Sequence, residues 1–138
     1  MGVIKQATIK NTRQLAEANK ASATVTTLGE ILDLTDGLAV AATSSSTRAT
    51  ILGVCNKTIA AADAETRVPY IVPSDEDTFI FPTTNNSDAD HNGQDMILGA
   101  SSSIVNNTGT TSAVGVVRQV EPYGAAADKL IIGKFITV

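Results

Sequence analysis

The segment Asp88-Ala89-Asp90-His91-Asn92-Gly93-Gln94-Asp95 carries the densest set of donor side chains in the chain. Oxygen donors at positions 1, 3 and 5 with glycine at position 6 are the opening of a calcium loop, which would make Asp88, Asp90, Asn92 and Asp95 the candidate metal ligands. The match then fails, because the position that should hold a bidentate glutamate is Gly99 and a strand ending in Pro82 stands where a helix should. Turn preference alone explains the same letters. His91 is the only histidine, so no multi-histidine metal site is available. Cys55 is the only cysteine, and inside Ile51-Leu52-Gly53-Val54-Cys55 it reads as a small buried hydrophobe and not a nucleophile. Asp75-Glu76-Asp77 could supply an acid and a base, but three adjacent acids in a turn read first as a solvated edge. There is no Gly-x-Ser-x-Gly, and Gly109 to Gly115 lacks the lysine and helix of a phosphate loop. The expectation is a chain that is not an enzyme, with no catalytic residues and no cofactor.

The elements that would hold these residues are strands. Threonine and valine are abundant, and from Thr26 onward short apolar runs recur every 8–15 residues between Gly, Asn, Asp, Ser or Pro, as in an all-β sandwich or barrel. Leu28, Leu32 and Leu34 alternate before Thr35-Asp36-Gly37, and Leu38, Val40 and Ala42 alternate after it. A three-residue loop with Gly37 in the left-handed position would face Leu34 with Leu38 and Leu32 with Val40. Further strands are expected at 51–57, at 68–72 with Pro69 forcing an edge or bulge, and at 78–81. Residues 83–94 read as a long polar loop with a mobile tip. Val114, Val116 and Val120 form an apolar face broken only by Arg118, and Leu130, Ile132, Ile136 and Val138 form another interrupted by Lys134.

Residues 1–24 differ: they are polar and alanine-rich with no apolar stripe, and are read as an N-terminal arm preceding one β-domain over 25–138. Val3, Ile4, Ala7 and Ile9 are the arm's candidate partner-binding residues, able to add a strand to an exposed sheet edge of another protein.

The net charge of −4 and the scatter of Lys57, Arg67, Arg118, Lys129 and Lys134 argue against nucleic-acid binding, which needs clustered cations. No apolar stretch reaches the roughly 18–20 residues of a membrane helix, and Met1 to Gln6 lacks the centre of a signal peptide. A soluble product made in the cytoplasm, with no membrane partner, is expected.

Taken in order, Gly29 to Thr43 (GEILDLTDGLAVAAT), Ile51-Leu52-Gly53-Val54, Ala60 to Asp63, Val68 to Val72, Asp95 to Leu98, Val114 to Val117 and Lys129 to Phe135 form a pattern. It resembles the small capsid decoration (cement) proteins of tailed bacteriophages, over about residues 26–138. The resemblance implies a β-barrel-like or β-tulip domain on the outer surface of the virion, synthesised in the host cytoplasm. There it would clamp neighbouring major capsid protein subunits, with an arm aiding attachment and assembly as a homotrimer one way to multiply contacts. Two other readings stand beside it: a small-ligand or glycan-binding β-barrel module, and a calcium-dependent fibre or adhesion domain using the Asp88–Asp95 loop.

Overall fold

The computed structural model describes residues 3–5, 14–21, 24–108 and 111–136. The apolar, β-branched runs form strands, with two single 3-10 turns and no α-helix among the described residues. One five-stranded sheet, A, contains in spatial order β1 (Ile4–Lys5), β7 (Phe79–Pro82), β10 (Leu130–Phe135), β9 (Val117–Pro122) and β8 (Asp95–Met96). The other, B, contains β2 (Gln14–Asn19), β6 (Arg67–Val72), β5 (Ile51–Cys55), β3 (Ile31–Thr35) and β4 (Leu38–Ala41). Every ladder is antiparallel. The chain is therefore all-β with two antiparallel sheets, and no barrel closure is found among the described residues.

The main core lies where the sheets face each other. Phe79 and Phe81 of β7 meet Phe135 of β10 edge to face, with ring centroids 5.2 and 5.3 Å away. Gly133 makes room for them: a Cβ there would lie 2.8 Å from Val117 Cγ1 and 3.1 Å from Phe81 Cδ2. Ile31, Val54 and Ile71, aligned across β3, β5 and β6, cover these rings from sheet B. The other side of sheet B is also dry, because Leu32, Cys55 and Val68 join Ala39 and Ile59 in a second core. Burial on both faces is why Ile51 to Cys55 is apolar without alternation. The outer strands of sheet B enclose this second core by touching at one bridge, Lys20 to Ala39, with a further bridge between Thr26 and Ile59.

Several expectations need correction. The hairpin pairs Thr35 with Leu38, Leu34 with Ala39 and Leu32 with Ala41, so its loop has two residues and not three. Asp36 and Gly37 both take positive φ, 51° and 79°, which is the I′ turn that matches strand twist; Leu34 and Leu38 are left exposed. Pro69 is on an inner strand, not an edge. Its carbonyl accepts from Asn56 N–H at 2.9 Å, so its nitrogen points to the same side, where the β5–β6 ladder has ended at Cys55.

In β9 the inward residues are Val117 and Gln119, and in β10 they are Ile131, Gly133 and Phe135, the opposite faces from those expected. The 83–94 loop is pinned and not loose: Gln119, only 1% exposed, donates from Nε2 to Asp88 O (2.7 Å) and Asn92 Oδ1 (2.9 Å). The amide of Asn107 holds Asn85 and Asn86 at the loop's other end.

The segment read as an arm contributes strands to its own domain. Val3 is buried and donates its N–H to Gly29 O at 2.8 Å, Ile4–Lys5 pair with β7, and Gln14–Asn19 pair along the whole of β6. The physical reason is that β7 and β6 would otherwise expose unpaired backbone at an edge. Ala7 and Ile9 lie outside the described residues.

Candidate functional site around Asp95, Arg118 and Lys134

Strand register sets three charged side chains in a row across sheet A. Asp95 of β8 pairs with Arg118 of β9, and Arg118 pairs on its other side with Lys134 of β10. Because Val117 and Phe135 point inward, Arg118 and Lys134 point to the outer face. Arg118 grips Asp95 with two hydrogen bonds, Nε to Oδ1 at 2.7 Å and Nη2 to Oδ2 at 3.1 Å, in the fork geometry that suits a guanidinium. Arg48 arrives from the loop between β4 and β5 and donates to the same Asp95 Oδ2 at 3.3 Å, to Gly115 O at 3.0 Å and to Ser112 O at 3.3 Å. It thereby ties sheet B to sheet A. Gly115 lets its own turn lie close against β8, since a Cβ there would stand 2.7 Å from the Asp95 carbonyl carbon.

The Asp95 side chain is 13% exposed and Arg118 is 55% exposed. The hydrogen bonds from Arg118 hold the Asp95 carboxyl below its ordinary value, against burial, with the charge of Arg118 and the contact from Arg48 adding to the effect. Arg118 is raised in turn by the same partner. One carboxylate thus serves two guanidiniums, and Lys134 stands beside them.

Two clefts lie against the end of β10. One, about 280 Å³, is lined by Asp75, Arg118, Lys134, Phe135 and Ile136. The other, about 230 Å³, is bordered by Arg48, Ile51, Leu52, Val72, Pro73 and the same Phe135 and Ile136. The first sets Asp75 beside Arg118 and Lys134, and the second combines Arg48 with aliphatic side chains.

Three of the four proposed calcium ligands, Asp88, Asn92 and Asp95, are engaged elsewhere. Asp88 Oδ1 accepts from Asp90 N–H at 2.9 Å as the cap of the 3-10 turn Ala89–His91, while Asn92 takes Gln119 and Asp95 takes the arginines. Among the described residues no three His, Cys, Asp or Glu side chains converge as metal ligands. Cys55 is buried, its Sγ donates to Lys57 O at 3.1 Å, and burial is the main cause that pushes its thiol up. Asp77 turns its carboxylate back on Ser74 N–H at 3.0 Å, which separates it from Asp75 at the cleft.

The charged row was not found in the sequence because its members come from separate strands 16 or more positions apart. A signal was present all the same. Arg118 and Lys134 are the two interruptions in otherwise apolar faces, and strand pairing brings them together. No protein-family model matches the chain, and no curated protein matches it in sequence.

Proposed function

We propose that this chain is a structural virion protein that binds the exterior of a phage capsid and stabilises contacts between major capsid protein subunits, without catalysis. The observation that carries the reading is the way the phrases of the resemblance fall on the fold. Gly29 to Thr43 builds the β3–β4 hairpin, Ile51 to Val54 and Val68 to Val72 lie in β5 and β6 beside it, Ala60 to Asp63 lies in the connection between those two strands, and the other three phrases fall in or beside β8, β9 and β10 of the facing sheet. The phrases are thus the frame of the domain.

Two features support work by surface contact. Polar side chains that could act elsewhere hold loops: Glu30 takes Thr27 N–H and Ser102 Oγ, and Asp33 takes Ser46 Oγ. Large apolar side chains stand outside, with Val25 53% and Leu28 59% exposed beside the Thr26–Ile59 bridge. A cement protein needs broad contact, since a small single interface is weak and simultaneous engagement of several subunits multiplies affinity. The test is co-sedimentation of the full chain with undecorated phage capsids, together with capsid melting. Saturable binding and a higher bursting temperature are expected. Equal bursting temperatures with and without bound protein refute cementing, and absence of binding refutes the reading as a whole.

A further inference from the structure

Asn92-Gly93 is the one asparagine–glycine pair in the sequence, and such a pair can modify itself. The main-chain nitrogen of the second residue attacks Cγ of the asparagine, and glycine, with no Cβ, hinders that approach least. The new N–Cγ bond closes a five-membered imide ring. The attacking nitrogen gives its proton to water, and the side-chain nitrogen takes up a proton and leaves as ammonia. Water then adds to either ring carbonyl and opens the ring to aspartate or isoaspartate. Water is consumed and ammonia released, with no oxidant or reductant. Asn92 and Gly93 are both exposed, so water reaches them.

The folded chain holds both reacting groups with one residue. Gly93 donates its N–H to Gln119 O at 2.8 Å, while Gln119 Nε2 donates to Asn92 Oδ1 at 2.9 Å and to Asp88 O at 2.7 Å. The nucleophile is thus tied to the backbone of Gln119 and the electrophile to its side chain. Gln119 is 1% exposed, stands on the inner strand β9 and donates its own N–H to Gln94 O at 3.1 Å, so the clamp is anchored in the sheet. Ring closure requires Gly93 N to eclipse Asn92 Cβ. A ψ of 132° at Asn92 turns that nitrogen away, and Asn92 N–H is itself fixed on Ala89 O at 3.1 Å. The bond to Oδ1 also draws electrons from Cγ, but water does the same for an open loop, so position and not polarity makes the difference.

We infer that Asn92-Gly93 is a latent site of spontaneous deamidation that Gln119 holds shut, so that conversion of Asn92 records opening of the 87–94 loop. Opening breaks the bond from Gly93 and releases Asn92 from the Gln119 amide. A net hydrogen bond is worth a factor of about 2–10 in an equilibrium, so the two together set conversion in the folded chain about tenfold or more below that of a free peptide. Aspartate at this position can still accept from Gln119. Isoaspartate adds a carbon to the main chain shortly before Asp95, whose register with Arg118 holds the charged row.

For the test, the full chain and the peptide acetyl-Asp-His-Asn-Gly-Gln-amide, which copies residues 90–94, are incubated side by side at pH 8, and Asn92 is followed by peptide mapping with mass spectrometry. Conversion about tenfold or more slower in the folded chain is expected, and equal rates overturn the lock. Gln119→Met, close in size but without a donor, should speed conversion about threefold or more in a chain whose amide spectrum shows it folded. An unchanged rate in that folded variant overturns the role of the Gln119 side chain. A second measurement needs no variant: urea below the unfolding transition should raise Gly93 amide exchange and Asn92 conversion in the parent by the same factor. Exchange that rises while conversion does not overturns the gating by loop opening.

Discussion

Gly53 sits where the backbones of β5 and β6 approach most closely, and its replacement by alanine offers a sharp test of the packing. Its φ is +151°, and a Cβ built there would lie 2.0 Å from Ile71 O and 3.1 Å from Ile71 C. Carbon and oxygen settle at about 3.3–3.6 Å, so the β5–β6 pair would have to open by about 1.3 Å or more. Strain at such a φ costs of order 1–3 kcal/mol. Opening the ladder forfeits at least one backbone hydrogen bond, about 1 kcal/mol, and loosens Val54 against Ile71. Gly53→Ala should therefore lose about 2–4 kcal/mol, a large part of the 5–15 kcal/mol typical of a domain. With a urea slope of about 1–3 kcal/mol/M, the unfolding midpoint should fall by roughly 1–4 M. Gly93→Ala is the control: its φ is also positive, +82°, but nothing lies within 4 Å of the added methyl, so only the backbone cost of about 1 kcal/mol should appear. Urea melts followed by circular dichroism measure both. A loss at Gly53 no larger than that at Gly93 would refute the close approach and the β5–β6 pairing deduced from it.

Asp95→Asn should cost about 1–2 kcal/mol at pH 7, between the values for exposed and buried pairs. Because the folded carboxyl titrates below its ordinary 3.8, its contribution is full above that value and fades as pH falls through the folded value, so the variant's stability should depend less on pH in acid melts. Cys55, buried and with its thiol pushed up, should react with an aromatic disulfide reagent at pH 8 at least about a thousandfold more slowly than in denaturant; rapid labelling of folded protein would contradict its burial. Phe81→Ala should lose about 3–5 kcal/mol in urea melts through the ring contacts with Phe79 and Phe135. Calcium at millimolar concentration should leave the melting temperature within about 1 °C, since Asp88, Asn92 and Asp95 are spent on a cap, a glutamine and two arginines; a rise of several degrees would show a bound ion.

Strand positions from 26 onward were legible because turn residues punctuate the runs, and Pro82 and Asp36-Gly37 mark boundaries that the fold respects. Which face turns inward was not. In β10 both alternating sets are apolar, Leu130 and Ile132 against Ile131 and Phe135, so periodicity cannot choose; the three-phenylalanine contact and the space left by Gly133 do. The hairpin register went to the twist of an Asp-Gly turn over the pairing of leucines. Gln14 to Asn19 lacked a strand signature because an edge strand is fixed by backbone pairing to β6 and needs few apolar side chains. The charged row depends on register between distant strands, and only its interruptions of apolar faces showed in the sequence.

Sheet B is a wall with a separate core on each side. Val54 and Ile71 belong to one core while Cys55 and Val68 belong to the other, so neighbouring residues of one strand report to different interiors. Neither interior can loosen without exposing the reverse of the wall that serves its neighbour. Breathing motions that open β5 or β6 must therefore approach complete unfolding, and the amides of those two strands should be the last to exchange their hydrogens with solvent. The wall also bears Ile51, Leu52 and Val72 at its margin, so the cleft they border rests on the same two-sided support.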